Sequence, residues 1–316
     1  MANEPNNAEP AADTENRRED MASHPTYYVP EQSKWPIIAS VGLFLTMYGA
    51  GSMLIDSQTG NKESSAHWIL FLGGLIMAYM LFGWFSNVIK ESRSGLYSPQ
   101  MDRTFRWGMT WFIFSEIMFF AAFFGTLFYV RTFTVPWLGG EGDKGLTGQL
   151  LWPEFQSQWP LLSNPDNKEF PGASEVIDPW KLPLLNTVLL VLSSVTVTIA
   201  HHALRENKRK LLIGWMIVTL LLGFAFLYFQ AEEYIHAYND LGLTLAAGIY
   251  GSTFFILTGF HGAHVTLGAI MLTIMLARIL KGHFSADNHF AFEAAAWYWH
   301  FVDVVWIGLF IFVYVF

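Results

Sequence analysis

One carboxyl group lies where a charge is costly. From Arg106 to Arg131 the chain runs through Trp, Phe, Ile, Leu, Met and small residues, and Glu116 is the one acidic or basic group between those two arginines. As a helix rising about 1.5 Å per residue, the run spans roughly 37 Å and puts Glu116 about 15 Å from Arg106, near the middle of a hydrocarbon core of about 30 Å. A carboxylate there costs at least about 2.5 kcal/mol on insertion scales, so the group faces protein, headgroup or water, or holds a proton. Two readings stay open: an acid that takes part in function, and a neutral acid hydrogen-bonded to a neighbouring helix.

The histidines are the other groups that could carry chemistry. In GFHGAHVTLG, His261 and His264 sit three apart on one helix face among Gly259, Gly262 and Gly268, small residues that favour close helix packing over a cofactor slot. Haem ligation would need facing histidines, for which His201 and His202 at the end of another run are the candidates; hydrogen-bonded packing histidines are the competing reading. In QAEEYIHAY, Glu233 and His236 have the Glu-x-x-His spacing of carboxylate-bridged di-iron bundles, but the chain lacks the second copy such a site needs. The bland alternative is a polar cluster of Gln230, Glu232, Glu233 and His236. His300 and Asp303 stand one turn apart, a structural polar pair in which a carboxylate orients an imidazole. With no cysteine, disulfides, thiol catalysis and cysteine-bound metals are excluded. No Ser-His-Asp order, phosphate loop or dinucleotide turn is present, and no residue is expected to be catalytic or to bind metal.

These groups need helices to position them. The chain is 53% hydrophobic, 17% aromatic and 14% charged, which predicts an all-α polytopic membrane protein. The net charge of -8 argues against a nucleic-acid partner. Residues 1–34 read as a polar, disordered tail rather than a signal peptide. Seven apolar runs follow, at about 35–55, 66–89, 103–131, 182–204, 211–236, 243–280 and 291–316. The first two form a hairpin, so that 35–90 is one segment and 91–316 another. The sixth run is too long to stand perpendicular and should tilt or project. Residues 133–181, rich in Pro, Gly and Trp, read as an extramembrane loop packed through Trp137, Trp152, Trp159 and Trp180. Lys and Arg gather in the tail and after runs two, four and six (Lys90, Arg93, Arg205, Lys208, Arg209, Lys210, Arg278), which puts the N-terminus inside and the C-terminus outside.

The segments FRWGMTWFIFSEIMFF, AHHALRENKRK, FQAEEY, GIYGSTFFILTGFHGAHVTLG and NHFAFEAAAWYWHFVDVVWIGLF closely resemble, in the same order, subunit III of the aa3-type haem-copper cytochrome c oxidases. The resemblance covers about residues 35–132 and 182–316. It implies seven transmembrane helices in a two-helix and a five-helix bundle, forming a V-shaped cleft that holds phospholipid. It implies a chain without haem or copper, both of which belong to partner subunits I and II, and a role in supporting subunit I, proton uptake and resistance to turnover inactivation. Glu116 matches the family's carbodiimide-reactive intramembrane carboxylate. Arg106, Arg278, Trp84 and His264 match positions at the lipid cleft, although SNVIKES after Trp84 is less basic than the family pattern.

The tail and the 133–181 loop depart from shorter family members, and the loop is expected to meet subunit II or an additional small subunit. A bacterial inner membrane is expected, since the tail resembles no Arg-rich transit peptide. The alternatives are subunit III of a quinol oxidase, an accessory subunit of nitric oxide reductase, and, from another class, a free-standing proton-coupled transporter relaying protons through Glu116 and Asp303. Transporters normally need discontinuous helices, and these runs read as continuous.

Overall fold

The computed structural model describes residues 28–61 and 65–316. The expectation of a disordered tail falls mostly on residues 1–27, outside the described residues. Among the described residues there is no strand, and seven helices are long and apolar enough to cross a membrane. They are α1 (Trp35–Thr59), α2 (Ala66–Arg93), α3 (Pro99–Tyr129), α4 (Leu182–Arg205), α5 (Arg209–Asn239), α6 (Ile249–Leu280) and α7 (Phe290–Leu309). Proline opens α1 and α4, where a missing N–H removes no helical hydrogen bond.

Two boundaries, and the regularity of the last span, differ from the sequence reading. The third helix does not stop at Arg131; it passes through a π-helical turn, Val130–Thr134, into a short helix, Val135–Leu138, whose first turn accepts Pro136. A second π-helical segment, Phe310–Val315, ends the seventh span, so neither span is a regular α-helix throughout. The sixth run does not begin at Leu243: residues 240–248 form a turn, and Gly242 and Gly248 take φ of 64° and 88°, which a side chain would resist. The span is correspondingly shorter than its apolar run.

The chain divides into two compact units, residues 1–105 and 106–316, with the boundary inside α3. In the first unit α1 and α2 pack backbone to backbone. A Cβ on Gly73 would stand 2.5 Å from the Thr46 nitrogen, and one on Gly49 2.5 Å from the Leu70 nitrogen. Trp35, 9% exposed, lays its ring against Gly83 and edge-on to Tyr79 at 5.8 Å. Beyond the hairpin, Tyr97 donates to Glu91 Oε2 at 2.8 Å; burial first, and that hydrogen bond second, push its phenol above the usual range. Gly73→Val must part the two backbones, and the expected cost is about 1–3 kcal/mol, seen as earlier loss of the chain when the solubilised protein is heated. Unchanged heat resistance would show that the hairpin is looser than drawn.

In the second unit α4 packs along α5, α5 against α6, and α7 fills the space beside α4 and α6. The aromatic residues of α7 make the core: Trp299 and Trp306 are fully buried, donating to Ser193 Oγ and Thr187 Oγ1 of α4, each at 2.9 Å. The part of α3 in this unit keeps its backbone further off and joins through long side chains, Phe112 on Tyr298 and Phe120 on Phe301.

The loop is more than a surface strap. It contains short helices at Gly142–Lys144 and Gly145–Leu151, and it buries Leu161, Ala173 and Ile177. Asn164 Nδ2 donates to the Phe170 and Ala247 carbonyls, and Ser174 N donates to Leu241 O at 2.9 Å, fixing the loop to the turn before α6. Of the four tryptophans expected to anchor it, Trp159 packs on Tyr250 at 5.6 Å, and Trp180, 66% exposed, meets Phe310 edge-on at 6.4 Å.

Candidate functional site

Glu116 is held by a partner 148 residues away in sequence. His264 of α6 brings Nε2 to 2.9 Å from Glu116 Oε2, while its Nδ1 lies 2.6 Å from the Phe260 carbonyl. The two contacts together fix the protons. A carbonyl oxygen only accepts, so Nδ1 carries a hydrogen; the Nε2–Oε2 bond then contains one further proton. If that proton is on oxygen, both groups are neutral. If it is on nitrogen, they form an ion pair with no net charge. In both forms the pair crosses apolar surroundings without a net charge, which is how an acid at this depth is accommodated.

The walls are aromatic. Phe119 and Phe120 flank the imidazole at 5.8 and 5.0 Å, and Tyr298 stacks on it at 6.4 Å and 16°. Phe120 is buried, while the side chains of Glu116 and His264 keep 22% and 13% of their exposure. Water is thus largely excluded while one edge of the carboxyl stays reachable.

Earlier in α3, Arg106 is paired. Its Nη1 donates to Glu293 Oε1 at 2.8 Å, and its guanidinium lies over the Phe290 ring at 5.1 Å. Arg278 is 8% exposed and stacks on Phe284 at 4.4 Å. Trp84 belongs to the first unit, 47% exposed beside Phe85. The sequence reading therefore places each of these residues on a helix, but not the acid that Arg106 meets.

His300 and Asp303, expected as a polar pair one turn apart, each also meet a hydroxyl of α4. His300 Nε2 meets Thr198 Oγ1 at 3.2 Å, and Asp303, 8% exposed, lies beside Ser194; no hydrogen bond joins the two among the described residues. Residues three apart diverge by about 60° around a helix, enough for α4 to offer each its own hydroxyl. His261 is fully buried and donates Nε2–H to the Val302 carbonyl at 3.0 Å, as a packing histidine does. His261 and His264 thus serve different neighbours. The Glu-x-x-His spacing is also split: Glu233 turns inward, accepting from Tyr314 at 2.6 Å and Gln230 at 3.3 Å, while His236 stays outside on Asp240 at 2.7 Å. Glu232 is exposed, so the polar cluster is Gln230, Glu233 and Tyr314. Of the three glycines read as close-packing in α6, Gly268 alone abuts a neighbour tightly, the Trp299 ring; Gly262 faces open space.

The chain is similar to a known family over nearly its whole length. The family model for cytochrome c oxidase subunit III matches residues 24–141 and 152–316. A protein named cytochrome c oxidase subunit 3 from Oncorhynchus mykiss is 36% identical over 290 residues, 91% of this chain and 96% of its own. Those of Struthio camelus and Coturnix japonica are 37% and 38% identical over 290 residues, each covering 92% of this chain and 96% of their own. The match takes in most of the segment that the sequence reading set apart as an insertion at 133–181, leaving only 142–151 outside the family model.

Proposed function

The chain belongs to the cytochrome c oxidase subunit III family, and from that premise we propose that it is the cofactor-free subunit of a proton-pumping terminal oxidase that passes electrons from cytochrome c to oxygen. Its role there is to support subunit I, to sustain proton uptake and to slow inactivation during turnover. The observation that carries this reading is the Glu116–His264 pair. It holds a single proton between two side chains of this chain, within an aromatic wall. Such a pair suits fixing a helix face against lipid or a neighbouring subunit better than moving charge across the membrane. The regular α-helical backbone of both α3 and α6 around it likewise favours this reading over a transporter, which would break its helices at such a site.

Bound phospholipid completes the proposal. Arg106, which donates to Glu293 Oε1, and Arg278 are the basic groups proposed for a lipid phosphate, Trp84 an aromatic for acyl chains, and His264 acts by holding Glu116. Large exposed side chains such as Phe44, Phe82, Trp107 and Trp111 supply the apolar surface that lipid and subunit I would cover. We place the chain in a bacterial inner membrane with the N-terminus cytoplasmic and the C-terminus periplasmic, the orientation resting on the Lys and Arg excess after α2, α4 and α6. The 133–181 loop would then lie outside, where it meets subunit II or an additional small subunit.

Depleting this chain from the purified oxidase tests the assignment. Haem and copper spectra and the initial rate of cytochrome c oxidation are expected to persist. Loss of the haem or copper signals on depletion would contradict a cofactor-free subunit.

A further inference from the structure

A second polar cluster lies away from Glu116. His201 in the last turns of α4, His289 just before α7 and Glu293 in its first turn bring one ligand atom each within 4.8 Å of one another. We infer that His201, His289 and Glu293 form a binding site for a divalent ion of the zinc class. This goes beyond the oxidase reading, which needs no metal in this chain.

The donor set argues for that class of ion. Two imidazoles and one carboxylate are the borderline ligands that zinc takes at about 2.0–2.2 Å, whereas calcium and magnesium prefer oxygen alone. Closing atoms that now stand up to 4.8 Å apart needs only side-chain adjustment, because His289 is the N-cap of α7, its carbonyl accepting from Glu293 N at 3.1 Å, and the His201 ring already lies edge-on to His289 at 5.3 Å.

The surroundings prepare each ligand. His289 Nδ1 faces the Ser285 carbonyl at 3.2 Å, so this nitrogen carries the hydrogen and Nε2 keeps the lone pair. Arg106 occupies Glu293 Oε1 and orients the carboxylate, leaving Oε2. His201 Nε2 is a buried atom with no hydrogen-bond partner, an arrangement proteins avoid unless something else satisfies the nitrogen. Three ligands leave a fourth position for water. With Arg106 and Arg205 nearby, the ion is held less tightly than in a four-ligand site and exchanges. Bound, it would clip the end of α4 to the start of α7 and, through Arg106, to α3.

The probe is zinc itself, added as a radioactive salt at micromolar free concentration to the chelator-stripped, purified assembly that contains the full chain. Wild type is compared with His289→Gln, His201→Gln and, as a control, the exposed neighbour variant His202→Gln. The expected result is one zinc equivalent per chain lost in each of the first two variants and retained in the control. Equal stoichiometry in all four overturns the site. If either variant fails to assemble, modification of wild-type histidines by diethyl pyrocarbonate, mapped by mass spectrometry, decides. Zinc should protect His201 and His289 but not His202, and unchanged labelling at saturating zinc overturns the proposal.

Discussion

His264→Leu is expected to destabilise the chain by about 3 kcal/mol, and adding Glu116→Leu to the same molecule is expected to restore most of that loss. The single change removes the partner that, among the described residues, shares Glu116's proton, and leaves an acid facing aromatic rings; the double change leaves two apolar side chains of suitable bulk. A buried polar pair typically behaves this way, since the penalty lies in the group left behind rather than in the absence of the bond. The four species of this cycle, compared by the temperature at which the chain leaves solution from the solubilised assembly, give the coupling directly. Additive losses would mean that Glu116 and His264 do not depend on each other and that the 2.9 Å contact contributes nothing.

Trp299→Ala should be the most damaging single truncation, costing about 4 kcal/mol. The indole has no exposure; a Cβ on Gly223 of α5 or on Gly268 of α6 would stand 2.9 Å from its ring, and its Nε1 donates to Ser193 of α4. One side chain of α7 therefore touches three other helices. Trp299→Phe keeps most of the contact and loses the hydrogen bond, so about 1 kcal/mol is expected. Comparable heat resistance of Trp299→Ala and wild type would place the core of this unit elsewhere.

The seven spans were readable because a membrane helix must be long, apolar and internally hydrogen-bonded, and those demands are written in consecutive residues. What failed did so for identifiable reasons. Apolar composition says nothing of a turn made from Leu, Thr and Ala, so α6 seemed to begin at Leu243; Gly242 and Gly248, both at positive φ, were the signal. The Pro, Gly and Trp content after Arg131 read as loop, yet Pro136 in a first turn is compatible with helix. In the site, Glu116 was legible from its isolation in an apolar run. Its partner was not, because nothing local connects residues 148 apart; for the same reason Glu293 was not foreseen beside Arg106, nor His201 beside His289. The polar cluster expected around Glu233 was too wide: Glu233 is buried with Gln230 and Tyr314, while His236 is exposed on Asp240.

The most direct test of the proposed role is the length of time that the purified oxidase sustains oxygen consumption with reduced cytochrome c, comparing wild type, Glu116→Gln and enzyme depleted of this chain. The account predicts similar initial rates in all three, a markedly shorter active lifetime on depletion, and an intermediate lifetime for Glu116→Gln, whose amide can still bond His264 but holds no transferable proton. An active lifetime unchanged by depletion would contradict it.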